Sequence, residues 1–254
     1  MRWSAPDFAS LRGGLRALER WLLPGECMLC RAPVDSAPDD PLICPLCRYR
    51  WVRIPPPVCA RCGQPRDFPE LPCRICPAWP EGFSGVLSAV WLDRSARRAV
   101  HHLKYEGWWR TADALAEVMA PAVRLPAGGA GPDEAVLLPV PLAPKRLRRR
   151  GYNQSEVLVR ALQKRLGRPA APPGWLRRVR ETSTQTALTP EERRANIAGA
   201  FAAGAVRGHR LILVDDVFTT GATLAEAAAA LLDAGATGVR AVTFARARTT
   251  LPQT

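Results

Sequence analysis

Four Cys-x-x-Cys pairs stand within 50 residues of one another: Cys27/Cys30, Cys44/Cys47, Cys59/Cys62 and Cys73/Cys76. They use all eight cysteines of the 254-residue chain. Two residues between thiols let both sulfurs turn toward one tetrahedral ion, and two such knuckles complete a four-cysteine zinc site. Consecutive pairing gives one site from Cys27, Cys30, Cys44 and Cys47 and another from Cys59, Cys62, Cys73 and Cys76. Pairing of the first knuckle with the fourth stays open at this level. An iron–sulfur cluster uses the same ligands, but the tight ferredoxin run is missing. A redox pair repeated four times is a poorer reading. The segment is crowded with prolines (Pro24, Pro45, Pro55, Pro56, Pro57, Pro72, Pro77) and has little apolar material. Metal binding, on the order of 10 kcal/mol per site in small zinc peptides, can supply what its core lacks.

The residues before the knuckles carry Leu11, Leu15, Leu18 and Leu22 at helical spacing, so 1–23 is expected to be an amphipathic helix. Asp7, Arg12, Arg16 and Glu19 interrupt any signal-peptide core. No run of about 20 apolar residues reads as a membrane span. The expectation is a cytoplasmic protein in a reducing compartment, with contact at the inner face of the membrane as the lesser role for the helix. A double zinc ribbon is expected over 24–80 and a second domain over 84–250.

The formal charge is +13, and 33 of the 36 basic residues are arginine. The excess is local. Residues 145–180 hold 12 basic residues and one acidic residue, a net of +11. Lys145, Arg146, Arg148, Arg149 and Arg150 open this window, which suits a polyphosphate or a nucleic-acid backbone. No Gly-Lys dipeptide occurs, which excludes a P-loop.

From residue 84 strands alternate with helices. Strands are expected at 86–92, 135–140, 211–214 and 239–244. Helices are expected at 94–105, 109–123, 154–166 behind an Asn153 cap, and 224–234. The alternation implies an α/β fold, a parallel sheet with helices on both faces. The segment from Leu211 to Thr223 reads strand, acidic pair (Asp215, Asp216), hydroxyl-rich loop (Thr219, Thr220, Gly221) and helix start (Ala222, Thr223). Such a loop offers N–H groups, hydroxyls and a positive helix end to an anion. The carboxylates suit sugar hydroxyls, which donate hydrogen bonds, or a magnesium shell.

This segment closely resembles the 5-phosphoribosyl-1-pyrophosphate (PRPP) motif of type I phosphoribosyltransferases. The resemblance implies that Asp215 and Asp216 meet the ribose 2′- and 3′-hydroxyls. It also implies that Thr219, Thr220, Gly221, Ala222 and Thr223 hold the 5′-phosphate. Further segments are similar to the ComF family: Leu103-Lys104-Tyr105-Glu106-Gly107, Pro139-Val140-Pro141, Arg150-Gly151-Tyr152-Asn153-Gln154, Thr182-x-x-Gln185 and Arg193-x-x-Asn196. With the four knuckles, the likeness runs from about residue 20 to 248. Tyr152 stands where phenylalanine is frequent. The family implies a double zinc ribbon followed by a phosphoribosyltransferase-like fold. Its members are competence proteins of DNA uptake, with gluconate-utilisation-associated relatives.

In such folds the loop after the first core strand takes pyrophosphate, here residues 142–150. Lys145 and Arg146 are the expected contacts. Arg148, Arg149 and Arg150 serve the same ligand or a longer polyanion. Thr182, Gln185 and Arg193 belong to an expected hood over the site. Zinc and magnesium-bound PRPP are the implied cofactors. Single-stranded DNA and the DNA-uptake machinery are the implied partners. Two readings compete: a DNA-handling competence protein, and a metabolic phosphoribosyltransferase that passes ribose phosphate to an amine or nucleobase and releases pyrophosphate. A third, a PRPP-sensing regulator, lacks a helix-turn-helix pattern. No residue stands out as a catalytic acid or base.

Overall fold

In the computed structural model, residues 25–34, 42–66, 68, 70–124, 135–181 and 195–248 are described. The expected helix over 1–23 and the hood residues Thr182, Gln185 and Arg193 lie outside them. The chain forms two compact units, residues 1–50 and 51–254.

In the first unit β1 (Gly25–Glu26) pairs antiparallel with β2 (Pro33–Val34), and α1 spans Pro45–Tyr49. Pro45 suits the first turn of α1, where its missing N–H costs nothing. Cys44 is the N-cap, and its side chain accepts from the Cys47 N–H.

The second unit is built on four parallel strands. They are β3 (Phe83–Trp91), β4 (Val136–Pro139), β7 (Arg210–Phe218) and β8 (Gly238–Arg246), in the order β3-β8-β7-β4. Between β3 and β4 run α2 (Arg94–Tyr105) and α3 (Thr111–Arg124). After β4 come α4 (Pro144–Arg150) and α5 (Gln154–Leu166). A short antiparallel pair follows, β5 (Leu176–Arg178) with β6 (Phe201–Ala203), and α6 (Ala222–Asp233) links β7 to β8.

Side chains alternate across a strand, and that alternation sorts the core. Leu211, Leu213, Val239 and Ala241 join one buried cluster with Leu224, Ala227, Ala228 and Leu231 of α6. Arg240 lies between Val239 and Ala241 and turns the other way, donating to the Ala122 and Val123 carbonyls at the end of α3. Helices therefore cover both faces, as the strand–helix alternation predicts. Cys59, Cys62 and Cys76 belong to the α6-side cluster.

Two expectations change. Residues 144–150, expected as a loop, form α4. Pro144 fits the first turn, the Lys-Arg-Leu-Arg-Arg-Arg run favours helix, and Gly151 ends it at φ +81°. The expected strand 211–214 continues to Phe218, because β8 goes on pairing with it through Arg246. The acidic pair is therefore part of the strand.

Candidate functional site

The loops after β4 and β7 leave toward opposite faces of the sheet, one to α4 and α5, the other to α6. These strands are neighbours, so a crevice opens between their carboxyl ends, where open α/β sheets bind ligands. Asp215 and Asp216 sit at this edge. Neighbouring strand residues point opposite ways, and each carboxylate is served by a different element. Asp215 Oδ1 accepts from Ser155 Oγ at 2.8 Å and from the Asp216 N–H at 2.9 Å. Among the described residues both hydrogen bonds fall on Oδ1, which leaves Oδ2 for a ligand. Asp216 is buried and pairs through Oδ2 with Lys104 Nζ, near the end of α2.

The charges act on each other. Burial pushes the Asp215 carboxyl up, and the adjacent Asp216 charge adds to this. Lys104 and Ser155 offset only part, and its pKa is about 7. Burial works against the Lys104 ammonium, but Asp216 and then Asp215 more than restore it, so it stays charged above its ordinary range.

The hydroxyl loop follows. Gly221 caps α6 at φ +78°, and among the described residues no side chain caps the helix. The N–H groups of its first turn are therefore available to an anion. Thr219 is exposed, and Thr220 and Thr223 are half-buried. A Cβ at Gly221 would stand 2.6 Å from Trp79 and 2.8 Å from Phe218. Gly221→Ala therefore combines a left-handed backbone with an aromatic clash. It is expected to cost about 2–4 kcal/mol, read as a lower midpoint of thermal unfolding.

On the opposite wall, the Lys145 N–H donates to Glu181 Oε1 at 2.8 Å, which seats the start of α4. Arg150 donates to Gln154 and lies 5.1 Å from the Tyr105 ring centre. Tyr152 donates to the Leu103 carbonyl, which ties α2 to the turn before α5. Lys104, Tyr105, Arg149, Arg150 and Tyr152 line a cavity of about 270 Å³. Arg178 on β5 is held below its ordinary pKa by burial and by Arg146, against the pull of Asp215 and Glu181.

Three of these groups escaped the sequence reading. Lys104 was visible only as part of a family segment. Arg178 was one arginine among many in the basic window. Ser155 carried no signal beyond its place after a helix cap.

The eight cysteines form two sets, each with its sulfurs within 4.8 Å of one another: Cys27, Cys30, Cys44, Cys47 and Cys59, Cys62, Cys73, Cys76. Knuckles therefore pair consecutively. Sulfurs at about 2.3 Å from a tetrahedral zinc stand about 3.8 Å apart. The separations are 3.8 Å for Cys30–Cys44, 3.7 Å for Cys59–Cys76 and 3.5 Å for Cys62–Cys73. No disulfide forms among them. The geometry fits structural zinc, with all four positions filled by protein. Burial pushes the Cys27 thiol up, but N–H groups of Cys44, Cys30 and Leu29 outweigh it and bring it to about 6.

Two family models match the chain. The double zinc ribbon domain model matches residues 18–78, and the phosphoribosyl transferase domain model matches 152–253. The DNA utilization protein YhgH of Salmonella typhi is 36% identical over 222 residues, covering 86% of this chain and 95% of that one. Competence protein F of Haemophilus influenzae is 29% identical over 238 residues, covering 87% and 96%. The chain belongs to the ComF family. Competence protein ComFC of Bacillus subtilis is a more distant relative, 27% identical over 226 residues and covering 82% and 89%. These alignments span both parts of a ComF chain, the zinc ribbon and the phosphoribosyltransferase fold.

Proposed function

We propose that this ComF protein binds PRPP at the crevice between β4 and β7 and serves DNA uptake by handling single-stranded DNA. The crevice carries the reading, because it joins an uncapped helix start, an acidic pair with a free Oδ2 and the cations of α4. In the bound state the α6 N-terminus with Thr219, Thr220 and Thr223 takes the 5′-phosphate. Asp215 and Asp216 accept from the ribose hydroxyls. Lys145 and Arg146 face the pyrophosphate. Magnesium, when bound with PRPP, would neutralise pyrophosphate charge, and Asp215 Oδ2 is the protein oxygen open to its shell.

The DNA component rests on the names of the relatives and on the +11 window, most of which α4 and α5 display. DNA on the cytoplasmic side and the uptake machinery are the partners this reading assigns. Among the described residues no helix is long and apolar enough to cross a membrane.

Calorimetric titration with PRPP tests the first part. For the second, reversing Arg148, Arg149 and Arg150 to glutamate should weaken binding of labelled single-stranded DNA and flatten its salt dependence, by about 0.7 in log–log slope per lost phosphate contact. An unchanged slope would remove α4 from the DNA surface.

The intact ribose-phosphate segment supports a second reading, turnover. Pyrophosphate would leave the ribose anomeric carbon as an amine or nucleobase attacks. Lys145 and Arg146 would then stabilise charge on the departing oxygens. Pyrophosphate release across an acceptor panel, absent in a D215N/D216N variant, would establish it. PRPP binding with no release from any acceptor would leave a binding protein.

A further inference from the structure

Tyr105, Trp108 and Trp109 are 59%, 47% and 58% exposed, in and beside the turn that joins α2 to α3. Large aromatic groups normally gain most by burial. Their backbone is nevertheless fixed. The Trp109 N–H donates to the Gly107 carbonyl at 2.8 Å, Thr111 to Trp108 at 3.0 Å and Ala112 to Trp109 at 3.1 Å. Trp108 and Trp109 are thus carried exposed on an ordered turn, beside Tyr105, whose ring is partly covered by Arg150 and by His101 at 5.0 Å. Neighbouring exposed aromatics rimmed by polar residues are a feature of binding surfaces.

Two cavities adjoin there. The first is the 270 Å³ cavity with Tyr105, Arg149 and Arg150. The second, about 500 Å³, runs between α3 and α5 and is lined by Trp109, Asp113, Tyr152, Val157, Arg160 and Lys164, among others. Tyr152 lines both, so the two are neighbours on one side of the protein. Each cavity has its own cations, Arg149 and Arg150 in the first and Arg160 and Lys164 in the second. Trp109, Tyr152 and Val157 give the second an aromatic and apolar wall. Two acids lie nearby: Asp113, and Glu106, which bonds to His101 and His102.

This pattern separates ligands by chemistry. A lone phosphate uses one set of cations and leaves the aromatic faces idle. A duplex keeps its bases stacked inside. A single strand offers unstacked bases to the aromatic faces and phosphates to the flanking cations. We infer that the Tyr105–Trp108–Trp109 turn and the α3/α5 groove form a base-stacking track for single-stranded DNA, leading to the Lys104–Asp216 site. This rests on the DNA-handling reading above. It adds contacts to the bases, where that reading invoked only the phosphates.

The test uses the full-length, zinc-loaded protein and a fluorescein-labelled oligothymidylate of about 15 nucleotides, matched to the upper range of single-strand site sizes. W108A/W109A should weaken binding at least about fivefold per tryptophan, with the salt slope unchanged. W108F/W109F, which keeps an aromatic face, should recover most of the affinity. For the wild type, an abasic strand of equal length should bind as weakly as oligothymidylate binds to W108A/W109A; this arm needs no variant. Wild-type binding with no loss in W108A/W109A and no preference over the abasic strand would overturn the track and leave the α4 surface standing. No binding of oligothymidylate by the wild type would overturn the DNA-handling reading itself, and the track with it.

Discussion

Serine at Cys62 and Cys73 is expected to weaken PRPP binding at least about 100-fold without changing any residue of the proposed ribose-phosphate loop. The second cysteine set is wired into that loop within one compact unit. Arg246, fully buried at the end of β8, donates to the Cys62 carbonyl at 2.6 Å and to Gln64 Oε1 at 2.6 Å. Its guanidinium lies 4.2 Å from the Phe218 ring centre. Trp79, three residues after Cys76, packs on Phe83 at 5.0 Å and Phe218 at 6.2 Å, and it closes the space beside Gly221. Arg61, next to Cys62, donates to the Phe83, Cys76, Trp79 and Pro80 carbonyls. Losing the metal forfeits on the order of 10 kcal/mol of local folding energy, against a whole-domain stability of about 5–15 kcal/mol. The loop at residues 219–223, to which the proposed function assigns the 5′-phosphate, loses its support with it. We expect bound zinc to fall by half, the unfolding midpoint to drop, and PRPP affinity to fall at least about 100-fold. Serine at Cys27 and Cys30, in the other compact unit, is expected to remove the same amount of zinc and to spare PRPP binding. Full PRPP affinity in the Cys62/Cys73 variant would sink this coupling.

The adjacent aspartates should respond in opposite ways to the same substitution. Asp215 in the folded protein titrates at about 7, raised chiefly by burial and then by Asp216, whereas in an unfolded chain it titrates at about 3.9. Between about pH 4 and pH 7 the folded state thus holds a proton that the unfolded chain has released. Stability therefore falls as pH rises through that window. Asparagine at 215 cannot ionise, so D215N should flatten this slope and unfold at a higher temperature than wild type above pH 7. The gain costs function: an accepting carboxylate oxygen for the ribose is lost, for about 10- to 100-fold weaker PRPP binding. In the wild type, PRPP affinity should rise with pH through about 7 as Asp215 ionises. D216N does the reverse to stability, because it leaves the Lys104 ammonium buried without its partner, at a cost of about 3 kcal/mol. Thermal midpoints from about pH 5 to pH 9 and parallel calorimetry separate the two. Equal pH slopes in wild type and D215N would refute the assignment of the titration to Asp215.

The helix that replaced the expected pyrophosphate loop shows where sequence reading slipped. Pro144 at the start and Gly151 at the end are ordinary helix punctuation. A functional expectation for a loop outweighed them. The cations are unaffected as candidates, but they stand on a two-turn helix, seated by Glu181, rather than on a loop. The β5–β6 pair had no legible signal, because three-residue strands are too short to show a period and are held by their partner.

Local chemistry determined what could be read directly. Eight thiols at Cys-x-x-Cys spacing specify four-coordinate metal whatever surrounds them. The segment from Leu211 to Thr223 specifies strand, acid pair and anion loop, because each step depends on near neighbours. The alternation of short apolar runs with amphipathic ones specifies the parallel sheet. Contacts between distant residues needed the fold. Lys104 meets Asp216 across 112 positions and Ser155 meets Asp215 across 60. Arg246 reaches back 184 positions to Cys62. No local pattern encodes such pairs, because a buried charge is placed by whichever element happens to pack against it. The tertiary structure alone decided that the acidic pair has an internal counter-ion, that consecutive knuckles form one four-cysteine set, and that the second set buttresses the loop at residues 219–223.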